Sequence, residues 1–312
     1  MPNSPKKRLM FFNGKFLPED EIKIPPTAHA LHYGTACFEG IRAYYSEKDK
    51  NLFVFRLEDH YKRFFYSCKT LFIKLPYSSK KIAELTVELL QKNYSETDIY
   101  IRPLAFKSDP AVGNFNLPTL ESSLLIYTVP LGRYLNTEKG IKANISSWMR
   151  VPDNAIPPRG KIAGAYVNTA LAKTESLQNG FDECIMLDRF GHIAEGSAEN
   201  FFMIKNGVVI TPPMYDDILV GITRGTVILV CEKELGLKVV ERSIARAEVY
   251  SADEVFVVGT GAEVTPVVEI DKHEVGDGKI GPITAKIKEL YFKMVHNEVP
   301  GYSKFLTKVS SK

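Results

Sequence analysis

A single lysine, Lys161, lies among small and apolar residues in the segment PPRGKIAGAY, with no acid beside it. A lysine amine becomes nucleophilic when burial or a neighbouring cation lowers its pKa, and small neighbours leave room for a carbonyl partner. Pyridoxal phosphate is such a partner, because it forms a Schiff base with lysine. A solvated lysine where a loop meets a helix would explain the same residues. This segment alone therefore predicts no reaction.

Three further segments contain groups that the same cofactor needs. Glu195, in IAEGSAEN, could supply the carboxylate that keeps a pyridine nitrogen protonated. Thr223, in LVGITRG, opens a predicted helix whose first amides could bind a phosphate. Thr260, in VVGTGAEV, follows a predicted strand and could form an amide nest for an anion. Each segment also has an ordinary explanation as a loop acid, a helix cap or a turn, and only their combination favours chemistry.

The elements that must position these groups divide into two parts. Apolar residues at helical spacing in LEDHYKRFFYSCKTLFI predict a helix, and DIYIRPLAF and ESSLLIYTV read as strands. We therefore expect a small α+β domain over residues 1–130 and an interdomain loop over 131–140. Residues 141–312 mix strands and helices without a regular βαβ alternation, and we expect them to form a larger α/β domain that binds the cofactor.

Composition excludes several classes of function. The chain has 312 residues, more than one hydrophobic core usually organises. Its net charge of +3, from 40 basic and 37 acidic residues, provides no basis for binding nucleic acid. No apolar run approaches the ~20 residues of a membrane helix, and no signal peptide is recognised. Four scattered cysteines without a CxxC pair are typical of a reducing cytoplasm, where we expect the protein.

Two weak motifs are discounted. GDGKIG matches the dinucleotide-binding GxGxxG, but too little chain follows it for a βαβ unit, so we expect a turn before the last helix. His29 and His32 form HxxH with no acid between them, which favours loop packing over a metal site. We expect no metal.

The ordered motif series resembles that of a known family. LHYGTACFEGIRAY, YIRPL, KIAGAYVNTALAK, IAEGSAENFF, LVGITRG and EVFVVGTGAEVTPV resemble, in order, the motifs of branched-chain amino-acid aminotransferases, which are fold-type IV pyridoxal-phosphate enzymes. The resemblance extends from about residue 11 to residue 296. It implies a mixed α/β, two-domain architecture like that of D-amino-acid transaminase, with the cofactor at the domain interface.

The resemblance also implies an activity, the transfer of the amino group of L-leucine, L-isoleucine or L-valine to 2-oxoglutarate. The segment FEGIR favours this group over others of the same fold. D-amino-acid or (R)-amine transamination and aminodeoxychorismate lyase activity remain the alternatives.

Residue roles follow from the resemblance in the same way. Lys161 matches the Schiff-base lysine, Glu195 the pyridine-nitrogen acid and Arg63 the phosphate-binding arginine. The implied cofactor contacts are Arg63, Lys161, Tyr166, Glu195, Leu219, Ile222, Thr223 and Thr260. The implied substrate contacts are Tyr33, Phe38, Gly40, Arg42, Tyr100, Arg102, Tyr134, Gly261 and Ala262.

The resemblance implies at least a homodimer, because the family places Tyr33 and the loop around Asn114 in the neighbouring subunit's site. Four residues depart from what is common in the family, and they bear on the range of substrates rather than on the cofactor. They are Leu131, Arg133, Ala198 and Gly261.

Overall fold

Two compact units make up the chain in a computed structural model, which describes residues 8–131 and 138–310. Unit 1 contains Met1–Gly132, Gly160–Gly164 and Val295–Lys312, and unit 2 contains Arg133–Arg159 and Ala165–Met294. The segment around Lys161 and the carboxyl-terminal strand thus belong with the first unit. This differs from the expectation that residues 141–312 form one domain.

The regular elements are six α-helices and seventeen strands within the described residues. The helices are α1 His29–Tyr33, α2 Leu57–Thr70, α3 Ser79–Lys92, α4 Tyr166–Gln178, α5 Ile222–Leu229 and α6 Pro282–Val295. The strands are β1 Leu9–Phe12, β2 Lys15–Pro18, β3 Ala36–Phe38, β4 Ile41–Ser46, β5 Asn51–Phe55, β6 Ile99–Lys107, β7 Ser122–Pro130, β8 Ile141–Ile145, β9 Glu183–Leu187, β10 Ile193–Gly196, β11 Asn200–Lys205, β12 Val208–Thr211, β13 Val239–Glu241, β14 Glu254–Gly259, β15 Glu263–Ile270, β16 His273–Glu274 and β17 Leu306–Val309. None of the helices in the part of the chain that the structure describes is long and apolar enough to cross a membrane.

Unit 1 is an antiparallel sheet with helices α2 and α3 against its core. The strand order is β17-β5-β4-β6-β7-β1-β2, and β3 pairs with β6. Helix α2 buries Leu57, Tyr61, Phe64 and Cys68, which recur at the spacing of one helix face. Strand β17 pairs antiparallel with β5, and this pairing draws the end of the chain back into unit 1. Periodicity cannot reveal such a return, because it reports only local spacing.

Unit 2 is a mixed sheet that closes on itself. Its strands follow the order β10-β9-β8-β15-β14-β11-β12-β13, and β10 also pairs with β11. That additional pairing joins six strands, from β10 around to β11, into a closed ring. Strand β8 lies parallel to both β9 and β15, whereas β9, β10, β11 and β14 pair antiparallel along the ring. The ring brings β10, β11 and β14 side by side.

The GDGKIG segment lies between β16 and α6 and forms turns, as expected. Gly276 and Gly278 have φ values of 59° and 74°, in the left-handed region that favours glycine. The strand after α6 is β17, which joins the antiparallel sheet of unit 1. A dinucleotide motif would need a parallel βαβ unit here, so the structure contradicts that alternative.

Candidate active site

Lys161 is anchored to unit 1 by its backbone on both sides. Its N–H donates to Ser67 Oγ at 3.0 Å, and its carbonyl accepts from the Phe38 N–H at 3.0 Å. A Cβ on Gly34 would lie 2.7 Å from Gly164 Cα, so two glycines permit the close approach of this segment to the end of α1. The side chain is half-buried, and its ammonium lies 5.0 Å from the centroid of the Phe38 ring. Because Gly164 packs directly against Gly34, its small size serves the packing of this segment.

One face of β6 lies against the same aromatic ring. Tyr100 and Arg102 alternate with the fully buried side chains of β6, and the Arg102 guanidinium lies 4.4 Å from the Phe38 ring centroid. Arg102 Nη2 donates to the Tyr100 hydroxyl at 2.6 Å. A Cβ on Gly40 would lie 2.3 Å from that hydroxyl, so only glycine fits there. Lys161, Phe38, Tyr100 and Arg102 are called the unit 1 cluster below.

Arg102 also has donor capacity that the protein does not use. Its Nε is buried and has no hydrogen-bond partner among the residues that the structure describes. An unpaired buried donor costs free energy of about 1–3 kcal/mol, so the atom suits an acceptor on a ligand. A carboxylate is the group that a guanidinium binds best.

The other expected substrate residues in unit 1 are less closely gathered. Tyr33 ends α1, and its hydroxyl accepts from the Gly113 N–H at 3.2 Å. Arg42 is 2% exposed and donates through Nη2 to the Leu131 carbonyl at 2.9 Å. Leu131, one of the departures from the family pattern, therefore holds an expected pocket residue through its backbone. Tyr134 lies outside the described residues.

Arg63 is held by a buried acid that the sequence analysis did not identify. Arg63 Nε and Nη2 donate to Glu39 Oε1 and Oε2 at 2.7 Å and 2.8 Å, and His60 Nδ1 lies 2.8 Å from Oε2. Burial would raise the pKa of Glu39, but the Arg63 charge and the hydrogen bonds from Arg63 and His60 outweigh it and lower the pKa to about 2. Burial lowers the pKa of His60, which favours a neutral imidazole. The guanidinium of Arg63 is thus oriented by an ionised carboxylate.

In unit 2 an arginine orients a carboxylate, whereas in unit 1 a carboxylate orients an arginine. The carboxylate of unit 2 is that of Glu195. Its Oε1 accepts from Arg150 Nε at 2.7 Å. Its Oε2 accepts from Asn200 Nδ2 at 3.1 Å and from the Leu219 N–H at 3.0 Å. Glu195 and Arg150 are 4% and 6% exposed. We call Glu195, Arg150, Asn200 and Leu219 the unit 2 cluster. Glu195 and Asn200 lie side by side because they are paired residues of β10 and β11.

The residues of unit 2 that are expected to contact the phosphate come shortly after Leu219 of this cluster in the chain. Asn200 Nδ2 also donates to the Leu219 carbonyl at 2.7 Å, and a Cβ on Gly221 would lie 2.0 Å from Asn200 Oδ1. Helix α5 begins immediately afterwards at Ile222, with Thr223 buried in its first turn. The first amides of a helix point along its axis towards its start and attract anions.

The remaining expected contacts of unit 2 lie on neighbouring elements. The turn Thr260, Gly261 and Ala262 follows β14, which pairs with β11 at Val258 and Asn200. Tyr166 is half-buried and opens α4.

A second buried acid of unit 2 lies in the same stretch as Glu195. Burial, followed by repulsion from the Glu183 carboxylate, raises the pKa of Glu199 to about 8. Glu183 is itself paired with Lys173, whose Nζ donates to Oε2 at 2.5 Å. Glu199 is therefore a neutral carboxylic acid near pH 7.

Sequence reasoning did not find Glu39, His60, Arg150, Asn200 or Glu199. Arg63 and His60 are three residues apart on α2, which places them on one helix face and was a usable signal. Arg150 carried no such signal, since it lies 45 residues from Glu195.

Comparisons with known proteins define the class to which this fold and these clusters belong. The family model described as amino-transferase class IV matches residues 36–270. The chain belongs to this family.

Its similar relatives carry a more particular name. A probable branched-chain-amino-acid aminotransferase of Aquifex aeolicus is 50% identical over 302 residues, which are 97% of each chain. The structure of a branched-chain aminotransferase from Thermoproteus uzoniensis with norvaline matches with a TM-score of 0.93 and 40% identity, over 98% of this chain and 100% of that one.

A third match has the cofactor in its description. The branched-chain amino acid aminotransferase from Thermobaculum terrenum in its PLP-form, the holo-form, matches with a TM-score of 0.91 and 35% identity, over 97% of this chain and 99% of that one. The resemblance seen in the motif series and the expected mixed α/β class IV fold are confirmed.

Proposed function

We propose that this chain transfers the amino group of L-leucine, L-isoleucine and L-valine to 2-oxoglutarate, with pyridoxal 5'-phosphate as its cofactor. The products are branched 2-oxo acids and L-glutamate. The relatives named for this activity cover almost the whole chain. The observation that carries the proposal is Glu195, a buried carboxylate whose two oxygens accept from three separate donors. A pyridine cofactor needs such a rigid acceptor at its ring nitrogen.

The available donors suit the cofactor's other groups. Arg63 would bind the phosphate, because Glu39 fixes the plane of its guanidinium. Thr223 and Thr260 would add hydroxyl donors, and the first turn of α5 at Ile222 would add amides. Leu219 would pack on the ring, and Tyr166 would donate to its phenolic oxygen.

The reaction assigns a distinct task to each charged residue. When bound, the cofactor supplies an electron sink for the electron pair left at the substrate's Cα. Lys161 Nζ would hold the cofactor between turnovers, and as a general base and acid it would move the proton at the substrate's Cα. Glu195 would accept the hydrogen bond of the cofactor's protonated ring nitrogen. Arg150 and Asn200 hold the carboxylate of Glu195 in a fixed orientation.

The unit 1 cluster suits both substrates in turn. The ring of Phe38 and the Tyr100 ring offer apolar walls to a branched aliphatic side chain. The Nε of Arg102 would donate to the side-chain carboxylate of 2-oxoglutarate or glutamate. We propose that the amides of Gly261 and Ala262 bind the α-carboxylate, which both substrates share.

A stereospecific substrate panel tests this proposal. L-leucine, L-isoleucine, L-valine and D-alanine are each offered with 2-oxoglutarate, and a chorismate-derived amine is offered separately. We expect the three L-amino acids to be the best donors by kcat/KM. A preference for D-alanine or for the chorismate-derived compound would overturn the assignment in favour of another activity of the same fold.

A variant of Arg102 tests the pocket within the same assay. In Arg102→Leu, we expect the KM for 2-oxoglutarate to rise about tenfold or more, since one charge-assisted hydrogen bond is lost. The KM for L-leucine, whose side chain is apolar, should change much less. Equal effects on both substrates would assign Arg102 a general structural role.

We further propose a homodimer or higher homo-oligomer in the cytoplasm. Three large apolar side chains are 67–70% exposed. Leu31 lies in α1, and Val112 and Phe115 lie within two residues of Gly113. Exposed apolar groups at this density suit a subunit interface. Light scattering of the purified protein checks the mass. The four buried, free thiols fit a reducing compartment.

A further inference from the structure

Three possible metal ligands meet in unit 2, away from every residue assigned to the cofactor or the substrate. Asp188, His192 and Asp216 each offer one ligand atom, and these atoms all lie within 4.8 Å of one another. Asp188 and Asp216 are both 4% exposed, whereas the His192 side chain is 39% exposed. The group is therefore buried on two sides and open to solvent at the imidazole.

The turn between β9 and β10 orients two of the three ligands. Asp188 Oδ1 accepts from the Phe190 and His192 N–H groups, both at 2.8 Å. Its other oxygen, Oδ2, lies 3.3 Å from His192 Nδ1. Adjacent ligands on one ion with bonds of about 2.0–2.2 Å lie roughly 3 Å apart, so this spacing fits coordination without rearrangement of the turn.

Asp216 supplies the observation that points to a ligand. It follows β12, its N–H donates to the Pro213 carbonyl at 3.1 Å, and its carboxylate has a hydrogen bond with Ser243. Its Oδ2 is buried and has no hydrogen-bond partner among the described residues. A buried carboxylate oxygen without a partner is costly, and a cation removes that cost.

The positive charge that would balance these two acids does not come from a lysine or an arginine. Within residues 8–131 and 138–310, neither Asp188 nor Asp216 forms an ion pair with either residue type. The imidazole of His192 is the one basic side chain that pairs with Asp188 in that part of the chain. The basic side chain nearest to the two buried carboxylates is thus an imidazole, which is itself a metal-binding group.

We propose that Asp188, His192 and Asp216 form a binding site for a divalent transition-metal ion. Carboxylates suit Mn²⁺ and imidazole suits Zn²⁺, and the mixed set accommodates either ion with water in the remaining positions. The ion ties the β9–β10 turn to the segment that leads from β12 to Leu219, whose N–H donates to Glu195. Its role is therefore structural support of unit 2. The sequence predicted no metal because Asp216 is distant along the chain from the other two ligands.

Manganese binding tests the site directly. The full-length protein, with cofactor bound and free cofactor removed, is treated with a chelator, desalted and titrated with Mn²⁺ while the electron paramagnetic resonance signal of free Mn²⁺ is recorded. We expect one bound ion per chain, displaced by Zn²⁺, and a rise of several degrees in the midpoint of thermal unfolding, because a ligand of the native state stabilises it. Absence of binding below ~1 mM would overturn the proposal.

Two variants and one matched control locate the ion. Asp216→Asn and His192→Gln should each weaken Mn²⁺ binding at least tenfold, while His273→Gln, which alters an exposed histidine of the same unit, should leave binding unchanged. His192 is half-exposed, so its variant remains informative if Asp216→Asn fails to fold. Binding that survives both variants, or that falls equally in the control, would place the ion elsewhere and contradict the site.

Discussion

The two units orient their charged groups by opposite arrangements of the same pair of residue types. In unit 1 the proposed functional group is the cation Arg63, and the buried carboxylate of Glu39 holds it. In unit 2 the proposed functional group is the carboxylate of Glu195, and the buried guanidinium of Arg150 holds it. A phosphate needs a fixed cation and a ring nitrogen needs a fixed anion, so each unit buries the counter-charge of its own functional group.

The comparison teaches that a buried ion pair can serve orientation. Removing both charges by apolar substitution is often neutral for stability, whereas removing one partner costs about 3–5 kcal/mol. The two pairs are therefore best understood as devices that fix a guanidinium and a carboxylate in place.

Removal of the amine should have the largest effect. We expect Lys161→Ala to reduce transamination by at least about 10³-fold, because it deletes the general acid and base of the proposed reaction. Steady-state rates with L-leucine and 2-oxoglutarate measure the loss. Lys62→Ala, on the exposed face of α2, is the control and should retain activity. Normal turnover in Lys161→Ala would overturn the catalytic assignment.

Neutralising the acid of unit 2 should come second. Glu195→Gln keeps the shape of the side chain but leaves Arg150 without its partner charge, and it removes the anion that we propose for the cofactor's ring nitrogen. We expect kcat to fall about 10²-fold with a smaller change in KM, since the charge acts when electrons move into the ring. Glu274→Gln, an exposed acid of unit 2, should behave as wild type. A change confined to KM would mean that Glu195 only binds.

Neutralising the acid of unit 1 should affect binding more than chemistry. In Glu39→Gln the guanidinium of Arg63 loses its bidentate partner, so we expect cofactor affinity to fall about tenfold and kcat at saturating cofactor to change little. Equilibrium titration of the apo-protein with pyridoxal phosphate measures this, with Glu58→Gln on the exposed face of α2 as the control. Loss of kcat at saturation would contradict the division of roles between the units.

Glu39 also predicts an acid-dependent stability. Its pKa is about 2 in the folded protein and about 4.3 when unfolded, so its stabilising contribution is complete above pH ~4.5 and is lost as the pH falls towards 2. The midpoints of thermal unfolding of the wild type and of Glu39→Gln should converge as the pH falls through that interval. An equal difference at every pH would contradict the lowered pKa.

The smallest expected effect concerns Glu199, whose pKa shifts in the opposite direction. Its pKa of about 8 exceeds the unfolded value, so the unfolded state loses its proton first and stability falls as the pH rises from ~4.5 to 8. Glu199→Gln should flatten this decline while keeping activity near pH 7, where the acid is already neutral. A decline as steep as that of wild type would exclude Glu199 as its cause.

Much of the fold and the class of reaction could be predicted from the sequence, because both depend on motifs whose residues are close together in the chain. The small-residue segment around Lys161, the helix start at Thr223 and the turn at Thr260 depend on neighbours within a few residues. The apolar face of α2 likewise follows from spacing alone. The ordered series of such motifs identified the family, which the comparisons confirm.

The sequence by itself thus determined the residue types available to the reaction and the class of protein. Only the tertiary structure decided what orients them, since Glu39 meets Arg63 across 24 residues and Arg150 meets Glu195 across 45. It also placed Lys161 in unit 1, through backbone bonds to Ser67 and Phe38. The physical reason is burial: a charge removed from water must find a partner, and the fold, rather than proximity in the chain, supplies that partner.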